Sequence, residues 1–196
     1  MHIILLCGYK RCGKDTFAKH VETKYGYTHL KISQNLKEVL KVLFHFSNEQ
    51  LEGNSKDVID ERWKITPREA MIFVGTDMFQ YKITELLPQI NRNFWIENVV
   101  TEIQKIKKEN MHSNIVISDL RFNHELVRLL NLFEYDESVK YSIVKIVNPN
   151  IKLYYDKKTY QSETEHLSFP FDRIIENNRL EQFHENIDRI LQELAT

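Results

Sequence analysis

The chain has 196 residues, 42% of them hydrophobic and 28% charged, which is ordinary for one globular domain with a substantial core. A formal net charge of -1 provides no broad basic surface for duplex nucleic acid, but it allows a local basic cleft for small phosphates. With no basic-then-apolar leader and no apolar run of membrane-spanning length, the sequence predicts a soluble cytoplasmic protein with no membrane partner.

The first predicted element is a buried strand over the apolar run 3–7, which leads through a glycine-containing loop into a helix over 16–25. Gly8 and Gly13 bracket four residues and Lys14 follows directly, matching the loop whose backbone N–H groups wrap a polyphosphate at a helix N-terminus. Lys14 is therefore the predicted catalytic cation that bridges the β- and γ-phosphates of ATP. The residues predicted to bind ATP are Gly8, Lys10, Arg11, Gly13, Lys14, Asp15 and Thr16.

One position of this loop departs from the general motif. Asp15 stands where Ser or Thr usually supplies a Mg²⁺ ligand, and the hydroxyl comes one place later, at Thr16. Either side chain offers the hard oxygen that Mg²⁺ accepts, directly or through water, so both are predicted metal ligands. The two cysteines, Cys7 and Cys12, are predicted to be free thiols of a reducing compartment.

A second strand and helix follow, with a weak strand over 28–32 and a helix that Ser33 caps and that runs through Phe44. The polar stretch 45–65 contains a possible short helix near 48–51. This stretch is interpreted as an insertion over the site, and a solvated surface loop is the alternative.

Thr66, Pro67 and Glu69 form a capping box that begins another helix. Arg68 lies in its first turn, where a positive charge opposes the helix dipole unless an anion is close. A substrate phosphate bound by Arg68 and the N–H groups of that turn would remove the conflict, and an ion pair with a neighbouring Glu is the alternative. The apolar residues of this helix are predicted to face the core: Ala70, Met71, Phe73, Val74, Met78 and Phe79.

An amphipathic helix is predicted over 94–108. Phe94 and Trp95, at its start, either pack in the core or stack on a base, and core packing is the preferred interpretation. Trp95 is nevertheless retained as a candidate substrate-binding residue.

The run 114–119 is predicted to be a buried parallel strand that ends in a carboxylate, the Walker B pattern. Because parallel strands present their carboxyl ends at the same edge, Asp119 is expected to face the phosphate loop and to hold Mg²⁺ through its water shell. Its alternative role is an N-cap for the next helix. Arg121 follows at the same edge, where its charge would stabilise the transferring phosphoryl group.

The remaining elements are a helix over 122–133, a strand over 141–147, a short strand over 172–176 and a last helix from about residue 179. The irregular segment 148–170 is placed where a mobile lid would sit, and a basic surface loop is the alternative. It contains Lys152, Lys157, Lys158, Ser162, Glu163 and His166. His166 is interpreted as a surface or packing residue rather than a catalytic base, because a phosphate acceptor is already anionic.

Strands and helices thus alternate along most of the chain, which predicts an α/β fold with a parallel sheet of about five strands and helices on both faces. The N-terminal phosphate loop and the late lid-like segment favour a small-molecule kinase. The chain has no Asn-Lys-x-Asp motif that would read guanine as a GTPase does.

These residues resemble a known family, the deoxynucleoside monophosphate kinases of phages and large DNA viruses, over nearly the whole chain. The resemblance includes the aspartate after Lys14, the irregularity noted above. The other matching positions are Leu36-Lys37, Thr66-Pro67-Arg68-Glu69 with Gly75-Thr76-Asp77, Phe94-Trp95, Ser118-Asp119-Leu120-Arg121-Phe122 with Glu125, Ser162-Glu163, Asp172 and Asn177.

The resemblance implies transfer of the γ-phosphoryl group of ATP to a deoxynucleoside monophosphate, with Mg²⁺, in a three-layer P-loop kinase fold. It implies one kinase domain over 1–196, with a nucleoside monophosphate-binding region at about 33–95 and a lid at about 148–170. It further implies that Lys37, Arg68 and Arg121 contact the acceptor or the transferred group, that the enzyme forms a homodimer, and that a viral protein would act in the host cytoplasm.

Three positions depart from the family pattern: Cys12 replaces the usual Ser, the lid is rich in lysine rather than arginine, and the spacing from Ser162-Glu163 to the histidine is shifted. Two other functions remain open. Animal-type phosphomevalonate kinases are similar at Gly13-Lys14-Asp15, and a regulatory module would bind ATP without transferring phosphate.

Overall fold

The computed structural model describes residues 1–151 and 165–195. Within these ranges the chain forms five β-strands and seven α-helices, with a π-helical segment (Phe73–Tyr81) and short 3₁₀ turns. The strands are β1 (His2–Cys7), β2 (Thr28–Leu30), β3 (Ile115–Ile117), β4 (Lys140–Val147) and β5 (Arg173–Glu176). The helices are α1 (Lys14–Tyr25), α2 (Gln34–Phe44), α3 (Asn48–Leu51), α4 (Pro67–Ile72), α5 (Phe94–Glu109), α6 (Asn123–Glu134) and α7 (Leu180–Ala195).

All five strands form one parallel sheet in the order β2-β3-β1-β4-β5. The central strand β1 is completely buried from Ile3 to Cys7, and such a continuous apolar run is typical of a parallel strand covered on both faces. Because β1 and β3 are neighbours, the segments that follow them lie at the same carboxyl edge of the sheet. This is the edge at which open parallel sheets bind ligands.

Helices cover both faces of the sheet. Phe17 of α1 and Phe183 of α7 belong to one core cluster with Val144 of β4. Phe133 of α6 contacts Tyr141, which lies on the opposite face of β4 from Val144 because side chains alternate along a strand. The three layers confirm the predicted α/β fold with a parallel sheet of about five strands.

The predicted elements occur in the predicted order, with ends that differ by a few residues, and the short helix near 48–51 is α3. The capping box of α4 is also present. Thr66 Oγ1 accepts the Glu69 N–H at 3.1 Å, and Glu69 Oε2 accepts the Thr66 N–H at 2.8 Å. In the described part of the chain, no helix is long and apolar enough to span a membrane.

The core assignment for the stretch after α4 is wrong in part. Residues Phe73–Tyr81 form a π-helix, whose wider turn removes the 3.6-residue spacing on which that assignment depended. Phe73 and Met78 are 56% and 41% exposed, whereas Ala70 and Val74 are buried as predicted. A regular helical period therefore places some of these side chains on the wrong face.

The chain divides into two compact units. The first consists of residues 1–31 and 100–196 and contains the five-stranded sheet; the second consists of residues 32–99 and contains α2, α3 and α4. The range of the second unit is close to the predicted nucleoside monophosphate-binding region, 33–95, whose role stays a prediction. Most of the predicted lid, including Lys152, Lys157, Lys158, Ser162 and Glu163, lies outside the described residues.

Asp188 of α7 forms hydrogen bonds with residues in the C-terminal part of α1. Its carboxylate lies 2.7 Å from His20 Nε2 and from Lys24 Nζ, and it accepts the Tyr25 hydroxyl at 2.8 Å. Burial raises the pKa of Asp188, but these partners lower it by more, so the net pKa lies below its ordinary value. The ionised carboxylate is thus stabilised by folding.

We expect Asp188→Asn to lower the free energy of unfolding at pH 7 by roughly 1–3 kcal/mol, a fall in Tm of about 2–12 °C. A depressed carboxyl pKa contributes stability above the unfolded pKa, about 3.9, and loses it as the pH falls through the folded pKa. The Tm difference from wild type should therefore shrink as the pH is lowered from about 5 towards 2. Thermal melts at several pH values measure it.

Glu22→Gln is the matched control, because it removes a carboxylate of an exposed α1 ion pair with Lys19, and such pairs contribute little. If the Tm difference for Asp188→Asn is no larger than that of the control, or does not change with pH, the ionised Asp188 carboxylate does not stabilise the fold as assigned.

Candidate active site

The loop between β1 and α1 has a backbone that requires glycine at two positions. Gly8 has a φ of 142° and Gly13 a φ of 114°, both in the left-handed region. A Cβ atom on Gly8 would lie 2.4 Å from the Ile146 carbonyl oxygen, and one on Gly13 would lie 2.4 Å from Asn177 Nδ2. The backbone passes too close to its neighbours for any side chain, as the predicted phosphate cradle requires.

The helix that follows the loop begins without a side-chain cap. Gly13 occupies the N-cap position of α1 and has no side chain that can accept a hydrogen bond from the first turn. The backbone N–H groups of the first turn and the positive end of the helix dipole both favour an anion at such a helix start. The glycine loop and the start of α1 are therefore suited to an anion such as phosphate, and nucleotide binding stays a prediction.

Lys14 curls back over this loop. Its Nζ donates to the carbonyl oxygens of Gly8 at 2.6 Å and Tyr9 at 2.8 Å, and it lies 3.7 Å from Cys12 Sγ. The ammonium is half-buried and held by neutral acceptors. A phosphate oxygen is a stronger partner for a cation than a carbonyl oxygen, so a bound polyphosphate can draw Lys14 away from these contacts.

Asn177, which directly follows β5, supports the loop between β1 and α1 through a hydrogen bond. Its Nδ2 donates to the Cys12 carbonyl oxygen at 2.9 Å, and its backbone N–H donates to Val147 at 2.8 Å. In the sequence, Asn177 is one of the positions that match the family, and the match assigns it no role. Nothing in the local pattern shows that a residue 165 positions after Cys12 supports the loop.

The predicted metal ligands offer the donor type that Mg²⁺ prefers. The Asp15 side chain is 77% exposed, and its Oδ1 lies 2.8 Å from Nζ of Lys31. Thr16 is half-buried in the first turn of α1, and Asp119 is half-buried just after β3, the neighbour of β1. Two carboxylates and a hydroxyl are hard oxygen donors of the kind that Mg²⁺ prefers, and the role of these three residues as its ligands stays a prediction.

His29 of β2 is a member of this site that the sequence did not indicate. Its Nε2 lies 2.7 Å from Oγ of Ser118, the residue before Asp119. Burial lowers the pKa of His29, and Lys31 lowers it further, while the carboxylates of Asp15 and Asp119 oppose the shift. The lowered pKa favours the neutral form of the imidazole, which lies against the segment after β3. Only the pairing of β2 with β3 reveals it.

Arg121 is held by a buried carboxylate. Glu125 Oε2 accepts the backbone N–H groups of Arg121 at 2.9 Å and Phe122 at 3.0 Å. Burial raises the pKa of Glu125 to about 7, with a smaller contribution from Asp119, although both N–H groups act in the opposite direction. Glu125 thus fixes the backbone at the start of α6, where Arg121 is attached. Asp119 does not cap α6, since Phe122 takes the N-cap position.

Lys37 and Arg68, in the second unit, are each paired with a carboxylate. The Lys37 side chain is only 10% exposed, and its Nζ lies 2.7 Å from Glu52 Oε1. Arg68 donates from Nε and, at 3.1 Å, from Nη2 to the two carboxylate oxygens of Asp57. Arg68 is therefore in an ion pair, as the alternative interpretation held, although its partner is Asp57 and not a neighbouring Glu.

Trp95, also in the second unit, is 6% exposed. Its indole N–H donates to the Gly75 carbonyl oxygen at 2.8 Å, and its ring lies 5.2 Å from those of Phe79 and Phe94. The structure favours the core-packing interpretation of Trp95. Base stacking would require the ring to become exposed.

Similarity to known proteins agrees with this geometry. The chain is 30% identical over 192 residues to a protein of Acanthamoeba polyphaga mimivirus named "Putative deoxynucleotide monophosphate kinase", covering 95% of this chain and 94% of the viral one. A crystal structure described as "a putative kinase" from Chloroflexus aurantiacus shares the fold, with a TM-score of 0.50 at 15% identity over 99% of this chain and 96% of the other.

The dephospho-CoA kinase of Campylobacter jejuni gives a TM-score of 0.47 at 15% identity, over 98% of this chain and 96% of the other. No protein-family model matches the chain.

Proposed function

The chain belongs to the deoxynucleotide monophosphate kinase family, a family of P-loop kinases, and on that premise we propose that it phosphorylates deoxynucleoside monophosphates. The donor is the γ-phosphoryl group of ATP, and the products are ADP and a deoxynucleoside diphosphate. The acceptor class is supported by the name of the viral relative and by the residues shared with its family. The proposed role is in deoxynucleotide metabolism.

The observation that carries phosphoryl transfer is the phosphate loop. Two glycines that admit no side chain, a helix start whose N-cap residue is a glycine, and an ammonium bound to neutral acceptors of the described chain support a polyphosphate site at this loop. We assign Gly8, Lys10, Arg11, Gly13, Lys14, Asp15 and Thr16 to ATP. Lys10 and Arg11 are exposed, so their side chains can reach outlying phosphate oxygens without displacing core contacts.

The acceptor phosphate is assigned to Lys37 and Arg68. Each already binds a carboxylate oxygen, Glu52 or Asp57, in the geometry that a phosphate oxygen can adopt. A phosphate monoester carries more charge than either carboxylate, and can replace it. The ability of both cations to bind an anionic oxygen supports the proposal that Lys37 and Arg68 bind the acceptor phosphate.

The proposed reaction is a direct in-line transfer. An oxygen of the acceptor phosphate forms a bond to the γ-phosphorus of ATP while the bond to the β–γ bridging oxygen breaks, and ADP leaves with that oxygen. The transition state is loose, so the rate depends on positioning and on cations around the phosphoryl oxygens. Lys14 and Arg121 are the protein's catalytic cations, and no general base is required.

Mg²⁺, when bound, supplies further positive charge on the β- and γ-phosphate oxygens. Asp15, Thr16 and Asp119 would hold it, directly or through water. The neutral imidazole of His29, bonded to Ser118, keeps the segment that carries Asp119 in place without adding a competing positive charge.

We expect Arg68→Ala to raise the acceptor KM by roughly 10- to 100-fold, because one charge-assisted contact to phosphate is lost. The KM for ATP should change by less than about twofold, since ATP phosphates are assigned to the first unit. Initial rates at varied acceptor and varied ATP measure both constants.

Arg62→Ala is the matched control, because Arg62 is another arginine of the second unit and is also paired with an aspartate, Asp60, at 2.8 Å. It has no assigned part in acceptor binding and should leave both KM values unchanged. An equal rise of both KM values in Arg68→Ala would remove Arg68 from the acceptor site.

The acceptor class is tested by ADP release with Mg-ATP against dAMP, dGMP, dCMP, dTMP, modified pyrimidine deoxynucleotides, the matching ribonucleotides and phosphomevalonate. Stimulation by one or several deoxynucleotides is the expected result. If phosphomevalonate is the sole acceptor that stimulates ADP release, the protein is a phosphomevalonate kinase and the proposal is wrong. ATP-dependent stabilisation without stimulation by any acceptor would identify a regulatory module.

A further inference from the structure

The start of α6 is fixed by two carboxylates from different parts of the chain. Glu125, within α6, accepts the N–H groups of Arg121 and Phe122. The next N–H group, that of Asn123, donates at 2.9 Å to Glu165 Oε2, which comes 42 positions later in the sequence. The backbone N–H groups of three consecutive residues, Arg121, Phe122 and Asn123, therefore each donate to a carboxylate. The carboxylate that accepts from Asn123 belongs to Glu165, which lies outside α6.

Glu165 begins a short 3₁₀ turn, Glu165–Ser168, which has a second link to α6. Ser168 Oγ donates to the Glu165 carbonyl oxygen at 2.9 Å and lies 3.5 Å from Asn123 Oδ1. The turn thus contacts Asn123 through both its first and its last residue.

The same turn contacts the phosphate loop through His166. The His166 side chain is 1% exposed, and its ring packs edge-on against the ring of Tyr9, with centroids 5.3 Å apart and planes at 83°. Tyr9 is the loop residue whose carbonyl oxygen accepts both the Lys14 ammonium at 2.8 Å and the Cys12 N–H at 3.2 Å. The packing alternative for His166 is confirmed, and its partner is part of the loop that orients Lys14.

We propose that Glu165 and His166 are positioning residues that hold the Arg121 backbone in register with the phosphate loop. Glu165 fixes the start of α6, and His166 fixes Tyr9, so the two catalytic cations, Lys14 and Arg121, are connected through one turn of four residues. This inference rests on the proposed function, in which both cations act on the same phosphoryl group. A transfer that depends on positioning loses rate when such a connection is loosened by about 1 Å.

The Glu165 half is tested with two variants. Glu165→Gln keeps an oxygen that can accept the Asn123 N–H, and it should retain kcat within about threefold. Glu165→Ala removes that acceptor, and it should lower kcat by roughly 10-fold or more, with the KM values for ATP and for the deoxynucleotide changed by less than about twofold. Asp188→Asn is the matched control for lost stability, because it weakens the same unit at α1 and α7 and should leave kcat unchanged.

The His166 half is tested in the same way. His166→Phe keeps an aromatic ring against Tyr9 and should retain kcat and its pH profile, whereas His166→Ala should lower kcat by roughly 10-fold. A Phe variant as inactive as the Ala variant would overturn the positioning role and assign chemistry to the imidazole. Because both residues act through one turn, the kcat of the Glu165→Ala/His166→Ala double variant should be only slightly lower than the kcat of the less active single variant.

Hydrogen exchange provides a measurement that does not depend on turnover. Amide exchange in residues 121–123 should accelerate in Glu165→Ala, and exchange in residues 9–14 should accelerate in His166→Ala. Unchanged exchange in both variants would overturn the connection itself, even if the wild type shows no acceptor-dependent ADP release and the proposed function fails. An active wild type with full kcat in both alanine variants would overturn the positioning role alone, and if one alanine variant does not fold, the other decides.

Discussion

Lys14→Ala is expected to reduce turnover to the assay background, a loss of at least about 10³-fold in kcat. Among the described residues, the partners of the ammonium are two carbonyl oxygens of the loop and a thiol, all of them neutral. Its contribution is therefore expected to become large when it binds the β- and γ-phosphates. The fold should remain intact, because β1 and α1 are anchored by their apolar cores. Steady-state ADP release and thermal melts measure the two effects.

Lys19→Ala is the control for Lys14→Ala, since it removes an exposed lysine of the same helix that pairs with Glu22. It should have wild-type activity. Near-wild-type activity in Lys14→Ala itself would contradict the assignment of the loop to the phosphates of ATP.

Arg121→Ala is expected to lower kcat by about 10³-fold, with a smaller effect on the KM for ATP. An arginine that stabilises charge on a transferring phosphoryl group acts mainly in the transition state. Arg121→Lys should recover only part of the loss, because an ammonium keeps the charge but lacks the planar fork of donors. Single-turnover rates with saturating substrates isolate the chemical step.

Arg189→Ala, at an exposed position of α7, is the control and should be fully active. If Arg121→Ala loses acceptor affinity but keeps kcat, Arg121 binds the acceptor phosphate and does not stabilise the transferred group.

The elements that the sequence predicted correctly are those with a strong local signal. The apolar run of β1, the glycines of the phosphate loop and the capping box at Thr66 each carry their own physical cause within a few residues. The parallel α/β fold follows from the alternation of such segments. Local patterns are therefore sufficient for the fold class and for the backbone of the glycine loop between β1 and α1, whereas phosphate binding stays a prediction.

The sequence failed where the backbone departs from a regular period. The π-helix over Phe73–Tyr81 has no signal in a 3.6-residue pattern, and that pattern therefore predicts core positions for Phe73 and Met78, which are exposed. Trp95 shows a related limit, because a large aromatic residue has the same sequence pattern whether it packs in a core or stacks on a base.

The supporting residues of the site could not be found locally, because tertiary structure brings them together. Asn177 reaches the Cys12 carbonyl only because β5 ends beside the loop, and His29 reaches Ser118 only because β2 pairs with β3. Glu165 and Asn123 are likewise joined across 42 positions. No spacing rule connects residues so far apart in sequence.

The central claim, transfer of a phosphoryl group from ATP to a deoxynucleotide, is tested most directly by following the group itself. The protein is incubated with Mg-ATP labelled at the γ-phosphate and with each of the four common deoxynucleoside monophosphates, and the products are separated by chromatography. We expect the label in at least one deoxynucleoside diphosphate, in an amount equal to the ADP formed, and none with Lys14→Ala. Label recovered only in unreacted ATP or in inorganic phosphate would contradict the claim.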